Sequence, residues 1–263
     1  MVRLELDLQK DVNGNAAAYF EKAKKIKKKI EGAESALKDN LRKLSLLEEQ
    51  RQKQIKVNSE KLISKSRKKE WYEKFRWFIS SEGILVIGGR DATSNEIVIK
   101  KHTAQNDIVF HTDMAGSPFF VVKKNDVEIG NATKQETADA TCTFSRAWKL
   151  GLQTSDVFYA NPSQVSKKTN SGEYMGKGAF MIYGKVEYIS NKASLAVGIT
   201  KDEKLMSGPV DAIKANCEKY LILVQGDEKA SNIAKKINYK LGGRLDIDEI
   251  IRSLPAGDFR ILA

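Results

Sequence analysis

The first part of the chain carries one narrow stripe of apolar residues on a strongly charged background. Residues 21–70 contain no proline and a single glycine. Apolar residues recur there every three or four positions, at Ile26, Ile30, Ala33, Leu37, Leu41, Leu44 and Leu47. This spacing places them on one face of a long α-helix. Because so narrow a stripe cannot be buried within a single helix, the pattern predicts a coiled-coil partner.

The sequence alone does not decide where this helix starts and ends or which helix it pairs with. Asn13 or Asn15 could cap its start. Beyond Leu47 the apolar repeat weakens, which allows either a turn near Asn58, giving a helical hairpin, or one continuous rod. A second copy of the chain, in a homodimer, is the other possible partner.

The pattern changes at the aromatic stretch "EWYEKFRWFISSEG". Its five aromatic residues could stack nucleobases, but at helical spacing ahead of strands they more often dock a helix end onto a core. Short apolar runs with β-type composition follow. They predict strands near residues 84–88, 97–100, 108–111 and 119–123.

Helical and strand-like patterns then alternate to the end of the chain. The stretch "TKQETADATCTFSRAWKLG" predicts a helix with a Thr133 cap and a Gly151 stop. Two strands, "DVFYAN" and "GAFMIYGKVEY", and a strand-helix-strand-helix series after residue 190 complete the pattern. The fold class predicted is α+β: a long basic coiled-coil helix or helical hairpin, followed by a mixed α/β domain.

Charge narrows the class of partner. The net charge is +11, and residues 21–70 hold seventeen Lys/Arg against eight Asp/Glu. A polyanion is therefore the expected partner, although charge alone does not separate RNA, DNA and anionic lipid. The longest apolar runs are strand-sized, far short of the roughly 20 residues of a membrane span, so no membrane is expected. Two distant cysteines and no signal-like segment at the start predict a reducing, cytoplasmic setting.

The stretch "SSEGILVIGGRDATSNEIVIKK" places an Arg-Asp pair directly after two glycines. Gly88 and Gly89 permit a positive φ or a close backbone approach, and Asp91 could cap a single helical turn. The planar fork of Arg90 matches a phosphate well. An ion pair of Arg90 with Asp91, Glu96 or another neighbouring carboxylate, which would only pin the turn, is the open alternative.

His111 and Asp113 end a predicted strand on alternate positions and so share a face. That spacing could serve a general base with its orienting carboxylate, or a metal. Because His102 is the only other histidine, we predict no metal, and a hydrogen bond from His111 to the turn at Gly116 and Ser117 is favoured. Phosphate-loop, dinucleotide and nucleophile-elbow motifs are absent, so no cofactor is expected.

Lysines and glycines interleave in "QVSKKTNSGEYMGKGAF". Lys167, Lys168 and Lys177 could follow a phosphodiester chain from such a loop. An ordinary exposed hairpin has the same composition, and its place between strands of a basic protein favours RNA contact.

Several of these stretches, in this order, resemble the NFACT family of ribosome-associated quality-control factors, once called fibronectin-binding-like proteins. They are "LDLQKDVNGNAAAYFEKAKKIKKKI", "EWYEKFRWFISSEGILVIGGRDATSNE", "DIVFHTDMAGSP", "SRAW" and "QVSKKTNSGEYMGKGAFMIYGKVEY". The resemblance covers nearly the whole chain and is greatest to archaeal members. It implies a coiled-coil region over residues 1–79, an RNA-binding NFACT-R domain over 80–190 and a C-terminal α/β extension over 191–263.

The resemblance implies a non-enzymatic module that binds RNA and the ribosome, with large-subunit rRNA and the tRNA of stalled nascent-chain complexes as partners. The RNA-binding residues expected are Gly88, Gly89, Arg90, Asp91, Asn95, His111, Arg146, Lys167, Lys168 and Lys177. A basic arm of Lys24, Lys25, Lys27, Lys28 and Lys29 is expected to contact the ribosome.

Two departures and one absence limit what carries over from the family. Ala115 stands where many members have a second histidine, and Tyr183 where they have an arginine, which weakens multi-histidine chemistry. Members also carry an N-terminal domain ahead of the coiled coil, and chain tailing is tied to that domain, so tailing is not expected of this chain.

Two other functions remain as alternatives. One is an RNA-processing enzyme that uses Arg90, Asp91, His111 and Asp113. The other is a coiled-coil adaptor that binds no RNA.

Overall fold

The structure is a computed structural model that describes residues 4–65, 69–125, 127–168 and 175–262, and between residues 49 and 65 it describes the backbone alone. The chain divides into two compact units, residues 1–62 and 63–263. Among the described helices, none combines the length and the apolar composition that a membrane crossing requires.

Helix α1 (Val12–Lys65) is one continuous helix. Its cap is Asp11, whose Oδ1 accepts a hydrogen bond from the Gly14 N–H at 2.7 Å. Asn15 lies inside the helix, where its side-chain amide accepts from the Asp7 N–H at 2.8 Å and donates back to the Asp7 carbonyl. The predicted capping by Asn13 or Asn15 is therefore wrong, because Asn15 ties the preceding segment to the first turn instead.

The continuity of α1 decides between the rod and the hairpin. The helix passes Asn58 without interruption, so of the two alternatives the hairpin is wrong and the continuous rod is confirmed. The Ile and Leu side chains of the apolar stripe, from Ile26 to Leu47, are 50–64% exposed. Because the described residues leave this stripe uncovered, its pairing in a coiled coil or homodimer stays a prediction.

Two antiparallel sheets form the centre of the second unit. The first has the spatial order β1 (Arg76–Ile79), β2 (Leu85–Gly88), β4 (Phe120–Val122), β3 (Ile108–Thr112), β5 (Val157–Ala160) and β8 (Glu187–Ile189). The second has the order β10 (Leu205–Gly208), β9 (Leu195–Thr200), β11 (Cys217–Lys229) and β12 (Asp258–Ile261). A short ribbon pairs β6 (Val165–Ser166) with β7 (Met181–Ile182).

In the described part of the second unit, the helices around these sheets are α2 (Ala92–His102), α3 (Asn131–Thr143), α4 (Arg146–Lys149), α5 (Val210–Asn216), α6 (Ala230–Lys240) and α7 (Ile247–Ser253). Single 3₁₀ turns lie at Trp71–Lys74 and Pro162–Gln164. One continuous apolar core joins both sheets, and within it Gly208 of β10 lies against the ring of Phe78 of β1. The two sheets therefore belong to one packed body.

Of the four strands predicted between residues 84 and 123, three are confirmed and one is wrong. The run at 97–100 lies in α2 rather than in a strand, with Val98 fully buried. Three consecutive β-branched residues resemble a strand, but the capping box of Asp91 and Ser94 just upstream starts a helix that includes them. Local capping prevails here over β-propensity.

The predicted helix at 133–151 is two helices. Its cap is Gly130 rather than Thr133, because the Glu82 carboxylate accepts the Thr133 N–H at 2.9 Å. The chain breaks at Phe144 and Ser145, where the Ser145 side chain caps α4. Strands β1, β6, β10 and β12 and helix α7 were not predicted, and the single strand predicted at "GAFMIYGKVEY" is two strands, β7 and β8, in different sheets. Aromatic docking onto the core is confirmed for Phe75, Trp77 and Phe78, which are at most 7% exposed, whereas Trp71 is 44% exposed.

Candidate nucleic-acid interface

Three separate stretches of the chain meet at a cleft of about 390 Å³ beside the first turn of α2. They are residues 89–95 after β2, residues 115–119 between β3 and β4, and residues 177–180 before β7. The charged side chains on its wall are Arg76, Arg90, Asp91 and Lys177. Sequence-distant cations thus gather around one concave surface, which we call the α2 cleft.

The two glycines leave room for close packing beside this cleft. Gly88 lies opposite Phe120 in the sheet, and a Cβ there would be 2.4 Å from the Phe120 ring. A Cβ on Gly89 would be 1.9 Å from Asn95 Oδ1. Of the two sequence interpretations, the close backbone approach is therefore confirmed.

Asp91 holds the start of α2. Its Oδ1 accepts the Ser94 N–H at 2.8 Å, and the Ser94 hydroxyl accepts the Arg90 and Asp91 N–H groups at 2.7 and 2.8 Å. Hydrogen bonds from Ser94 lower the pKa of Asp91, so this carboxylate is charged at neutral pH. The predicted cap is confirmed, although the helix it starts is eleven residues long rather than a single turn.

Arg90 pins the chain through carbonyl oxygens. Its Nη2 donates to the carbonyls of Glu73 and Phe75 at 3.1 and 2.9 Å. Its Nε is buried and has no hydrogen-bond partner among the described residues. These hydrogen bonds replace the ion pair to Asp91 or Glu96 that was one sequence interpretation. Burial and the nearby charge of Arg252 lower the pKa of Arg90, but a guanidinium remains charged at neutral pH.

Arg76 is the cleft residue that the sequence interpretation missed. Its Nη1 donates to the Leu254 carbonyl at 3.0 Å, and its guanidinium lies 4.5 Å from the centroid of the Phe144 ring. Burial first, and then the charge of Arg90, lower the pKa of Arg76 to about 9. The available signal was an arginine inside the apolar run "KFRWFI", because a half-buried charge needs a specific environment.

The loop that carries Lys177 is seated on α2. Gly178 adopts a φ of +78°, and a Cβ there would lie 2.5 Å from Ala92 Cα. Its N–H donates to Glu96 Oε2 at 3.2 Å, and Lys167 Nζ lies 3.5 Å from the same oxygen. Lys177 itself is exposed on the cleft wall. Residues 169–174 of this predicted RNA-contacting loop lie outside the described residues.

His111 and Asp113 do not form a pair. His111 Nδ1 is 3.1 Å from the Pro118 carbonyl, and its ring stacks on Phe119 at 3.9 Å between centroids. Burial lowers the pKa of His111, which keeps the imidazole neutral at neutral pH. Asp113 accepts a hydrogen bond from the Tyr188 hydroxyl at 2.9 Å. The predicted bond to the turn at 116–117 is wrong by one residue, since Pro118 provides the acceptor.

The remaining predicted residues differ in their placement. Asn95 is buried, and its Oδ1 accepts the Phe119 N–H at 3.1 Å, so it holds the 115–119 wall of the cleft. Arg146 and Lys168 are exposed and lie outside the cleft lining, as does Lys167. The cleft gathers Gly89, Arg90, Asp91, Asn95, His111 and Lys177. Their contact with RNA stays a prediction, and across the described ranges no group of His, Cys, Asp and Glu could hold a metal.

Comparison with known proteins shows which protein family the chain resembles. Residues 74–184 match the family model described as "NFACT protein RNA binding domain". Over 212 residues the chain is 38% identical to the archaeal Rqc2 homolog aRqcH of Methanocaldococcus jannaschii, which is 78% of this chain and 31% of that protein. The chain belongs to the NFACT family. The α2 cleft lies wholly within the matched NFACT residues.

A eukaryotic protein and a solved structure are also similar to the chain. The human ribosome quality control complex subunit NEMF is 38% identical over 180 residues, 66% of this chain and 16% of that protein. A solved structure of the C-terminal part of the fibronectin/fibrinogen-binding protein from Streptococcus suis matches with a TM-score of 0.38 and 18% identity, over 55% of this chain and 56% of that one. This chain thus spans less than a third of the length of these two curated relatives.

Proposed function

We propose that this chain is the RNA-binding and ribosome-binding part of a ribosome quality-control factor, acting without catalysis of its own. Its partners would be large-subunit rRNA and the tRNA of stalled nascent-chain complexes, in the cytoplasm. The observation that carries the proposal is the α2 cleft, where Arg76, Arg90 and Lys177 converge and the one carboxylate, Asp91, is engaged in capping α2. The similarity to human NEMF, a subunit of the ribosome quality control complex, supports the same role.

The chemistry of the cleft suits a phosphate rather than a neutral ligand. Two guanidinium groups and an ammonium outnumber the single carboxylate on its wall. Charge-assisted hydrogen bonds to phosphate are stronger than neutral ones, and a half-buried site screens them less than open solvent does. Because Arg90 is held by two carbonyls, a phosphate bound beside it would also have a defined position.

The basic arm would contribute charge without such positioning. Lys24, Lys25, Lys27, Lys28 and Lys29 are all exposed on α1. Exposed lysines attract a phosphate backbone regardless of its sequence. We therefore assign the arm a sequence-independent share of affinity and the α2 cleft the share that sets register.

Three further expectations belong to this proposal. The coiled-coil, NFACT-R and C-terminal parts would be residues 1–79, 80–190 and 191–263. The exposed stripe of α1 would pair with a second helix, for which a homodimer is one source. The predicted RNA contacts at Gly88, Arg146, Lys167 and Lys168 would extend beyond the α2 cleft.

The test is a salt titration of ribosomal-RNA binding. Wild type is compared with the arm variant Lys27→Ala/Lys28→Ala, the cleft variant Lys177→Gln and the control variant Lys235→Gln, an exposed lysine of α6. Each lost phosphate contact should reduce the slope of log affinity against log salt by about one. The arm variant is expected to lower the slope by about two, and the cleft variant by about one. The control should match wild type.

The outcomes separate the parts of the proposal. A wild-type slope near zero would contradict phosphate-dominated binding altogether. If Lys177→Gln behaved like Lys235→Gln while the arm variant lost affinity, the α2 cleft would not be part of the RNA interface.

A further inference from the structure

A second cleft, of about 560 Å³, shares Arg76, Arg90 and Asp91 with the α2 cleft. Its walls come from β1, the start of α2, and the C-terminal segment at residues 251–257 after and within α7. The NFACT family model ends at residue 184, so this C-terminal wall lies outside the family match. We call it the C-terminal cleft.

The charges that line the C-terminal cleft are strongly unbalanced. Lys74, Arg76, Arg90 and Arg252 face one carboxylate, Asp91, which already caps α2. The acidic residue that acts on Arg90 from α7 is Glu249, and its carboxylate is 3.1 Å from Lys69 Nζ. Both carboxylates offset part of the charge of Arg90, but each is also engaged in another contact, and the cations outnumber them.

Hydrogen-bond donors are also left over. Buried Nε of Arg90 has no partner in the described part of the chain. A guanidinium has five N–H donors. Among the described residues, that of Arg76 donates one hydrogen bond, from Nη1 to the Leu254 carbonyl at 3.0 Å. Arg252 is exposed at the rim. Three arginines therefore converge with donor capacity to spare.

The like charges act against one another. Burial and the charge of Arg90 lower the pKa of Arg76 to about 9, and burial and the charge of Arg252 lower that of Arg90. An anion between these groups would relieve the repulsion, because an opposite charge favours the charged form of each guanidinium.

We propose that the C-terminal cleft binds a phosphate group, and that Arg252 is the phosphate ligand that the C-terminal part of the chain contributes. The guanidinium geometry fits a tetrahedral oxyanion, which accepts several N–H groups at once. The phosphate can come from an RNA backbone, in which case the inference rests on the proposed function, or from a free phosphate.

The experiment compares Arg252→Gln with Arg260→Gln in the full chain. Both arginines are exposed, both lie beyond residue 184, and Arg260 on β12 does not line the cleft. In the first arm, binding of a single-stranded ribosomal-RNA fragment is measured against salt. In the second, the thermal unfolding midpoint is measured in inorganic phosphate and in chloride at equal ionic strength.

In the RNA arm, Arg252→Gln is expected to weaken binding about three- to tenfold and to reduce the salt slope by about one, with Arg260→Gln unchanged. In the phosphate arm, phosphate should raise the midpoint of wild type and of Arg260→Gln by about 1–3 °C, and that of Arg252→Gln by less. An effect in the RNA arm alone assigns the site to RNA, and one in the phosphate arm alone assigns it to free phosphate.

Equal behaviour of the two variants in both arms would overturn the inference. If wild type still bound RNA with a steep salt slope in that case, the proposed function would stand without the C-terminal cleft. If wild type bound no RNA but Arg252→Gln alone lost the response to phosphate, the proposed function would fail and the cleft would remain.

Discussion

Helix α1 and the compact unit at residues 63–263 carry positive charge in two different ways. On α1 the lysines between positions 24 and 29 are exposed, and the stripe of apolar side chains beside them is exposed as well. In the compact unit, Arg76 and Arg90 are partly buried and bonded to backbone carbonyls. The exposed lysines attract an anion without fixing where it binds, whereas the hydrogen-bonded arginines hold their guanidinium groups in place.

The difference follows from what surrounds each charge. An exposed lysine keeps its rotamer freedom, so ordering it against a ligand costs conformational entropy. Arg90 has already lost that freedom to the Glu73 and Phe75 carbonyls, and those carbonyls are fixed by the aromatic core beneath them. A pre-positioned donor gains more from each phosphate contact. The comparison therefore predicts that substitutions in the two regions have effects of different size and different kind.

The largest contrast is expected between two apolar truncations. Phe120 is fully buried in β4, whereas Leu37 on α1 is 62% exposed. Phe120→Ala should lower the unfolding free energy of the compact unit by about 3–5 kcal/mol. Leu37→Ala should change helix stability by less than about 0.5 kcal/mol. Tryptophan fluorescence reports the compact unit, which holds all three tryptophans, and far-ultraviolet circular dichroism reports α1.

A large, concentration-dependent loss from Leu37→Ala would break this contrast. It would mean that a second helix covers the apolar stripe in solution, as the coiled-coil prediction requires. A small loss that does not depend on concentration would leave the stripe unpaired in this chain.

A smaller contrast is expected within one loop. Gly178 has a positive φ, and a Cβ added there would lie 2.5 Å from Ala92 Cα. A Cβ added to Gly176 would meet nothing within 4 Å. Gly178→Ala should cost about 1–3 kcal/mol through backbone strain and overpacking. Gly176→Ala, the matched control, should be nearly neutral. Urea unfolding measures both, and equal small effects would show that the loop is not seated on α2 in solution.

The parts of this structure that local chemistry determines were open to prediction from sequence. Asp91 with Ser94 three positions later is a capping signal, and the short apolar runs at 84–88 and 108–111 form the strands they indicate. The run at 97–100 was misassigned because β-branched residues were given more weight than the cap in front of them. The type of an element with a strong local signal could be predicted from the sequence, but its boundaries could be predicted less accurately.

The candidate site depends on contacts that no local pattern encodes. Arg90 bonds to carbonyls seventeen and fifteen positions away, and Arg76 bonds to a carbonyl 178 positions away. Lys177 reaches the cleft because Gly178 packs on α2. Sequence spacing could nominate Arg90 and Lys177 as phosphate ligands, but it could not show that Arg76 and Arg252 share a cleft with Arg90. Long-range packing decides which nominated cations meet.

The smallest expected effect is a pH response of the contact that seats the Lys177 loop. A hydrogen bond from Lys100, followed by the Gly178 N–H, lowers the pKa of Glu96 to about 2, from an ordinary 4.5. Because the folded-state pKa lies below the unfolded one, the contact stabilises fully above the unfolded value and is lost as pH falls toward about 2. The effect on global stability should be slight, since Glu96 is solvent-accessible.

The Gly178 amide chemical shift should titrate with a midpoint near 2, because the Gly178 N–H donates to the Glu96 carboxylate. In Glu96→Gln, which keeps an acceptor oxygen but has no titrating group, the shift should not change with pH. A midpoint near the ordinary value of a glutamate would show that Glu96 is free in solution. The compact unit would then hold Lys177 no more firmly than α1 holds its lysines, and the contrast between positioned and diffuse charge would reduce to the two arginines.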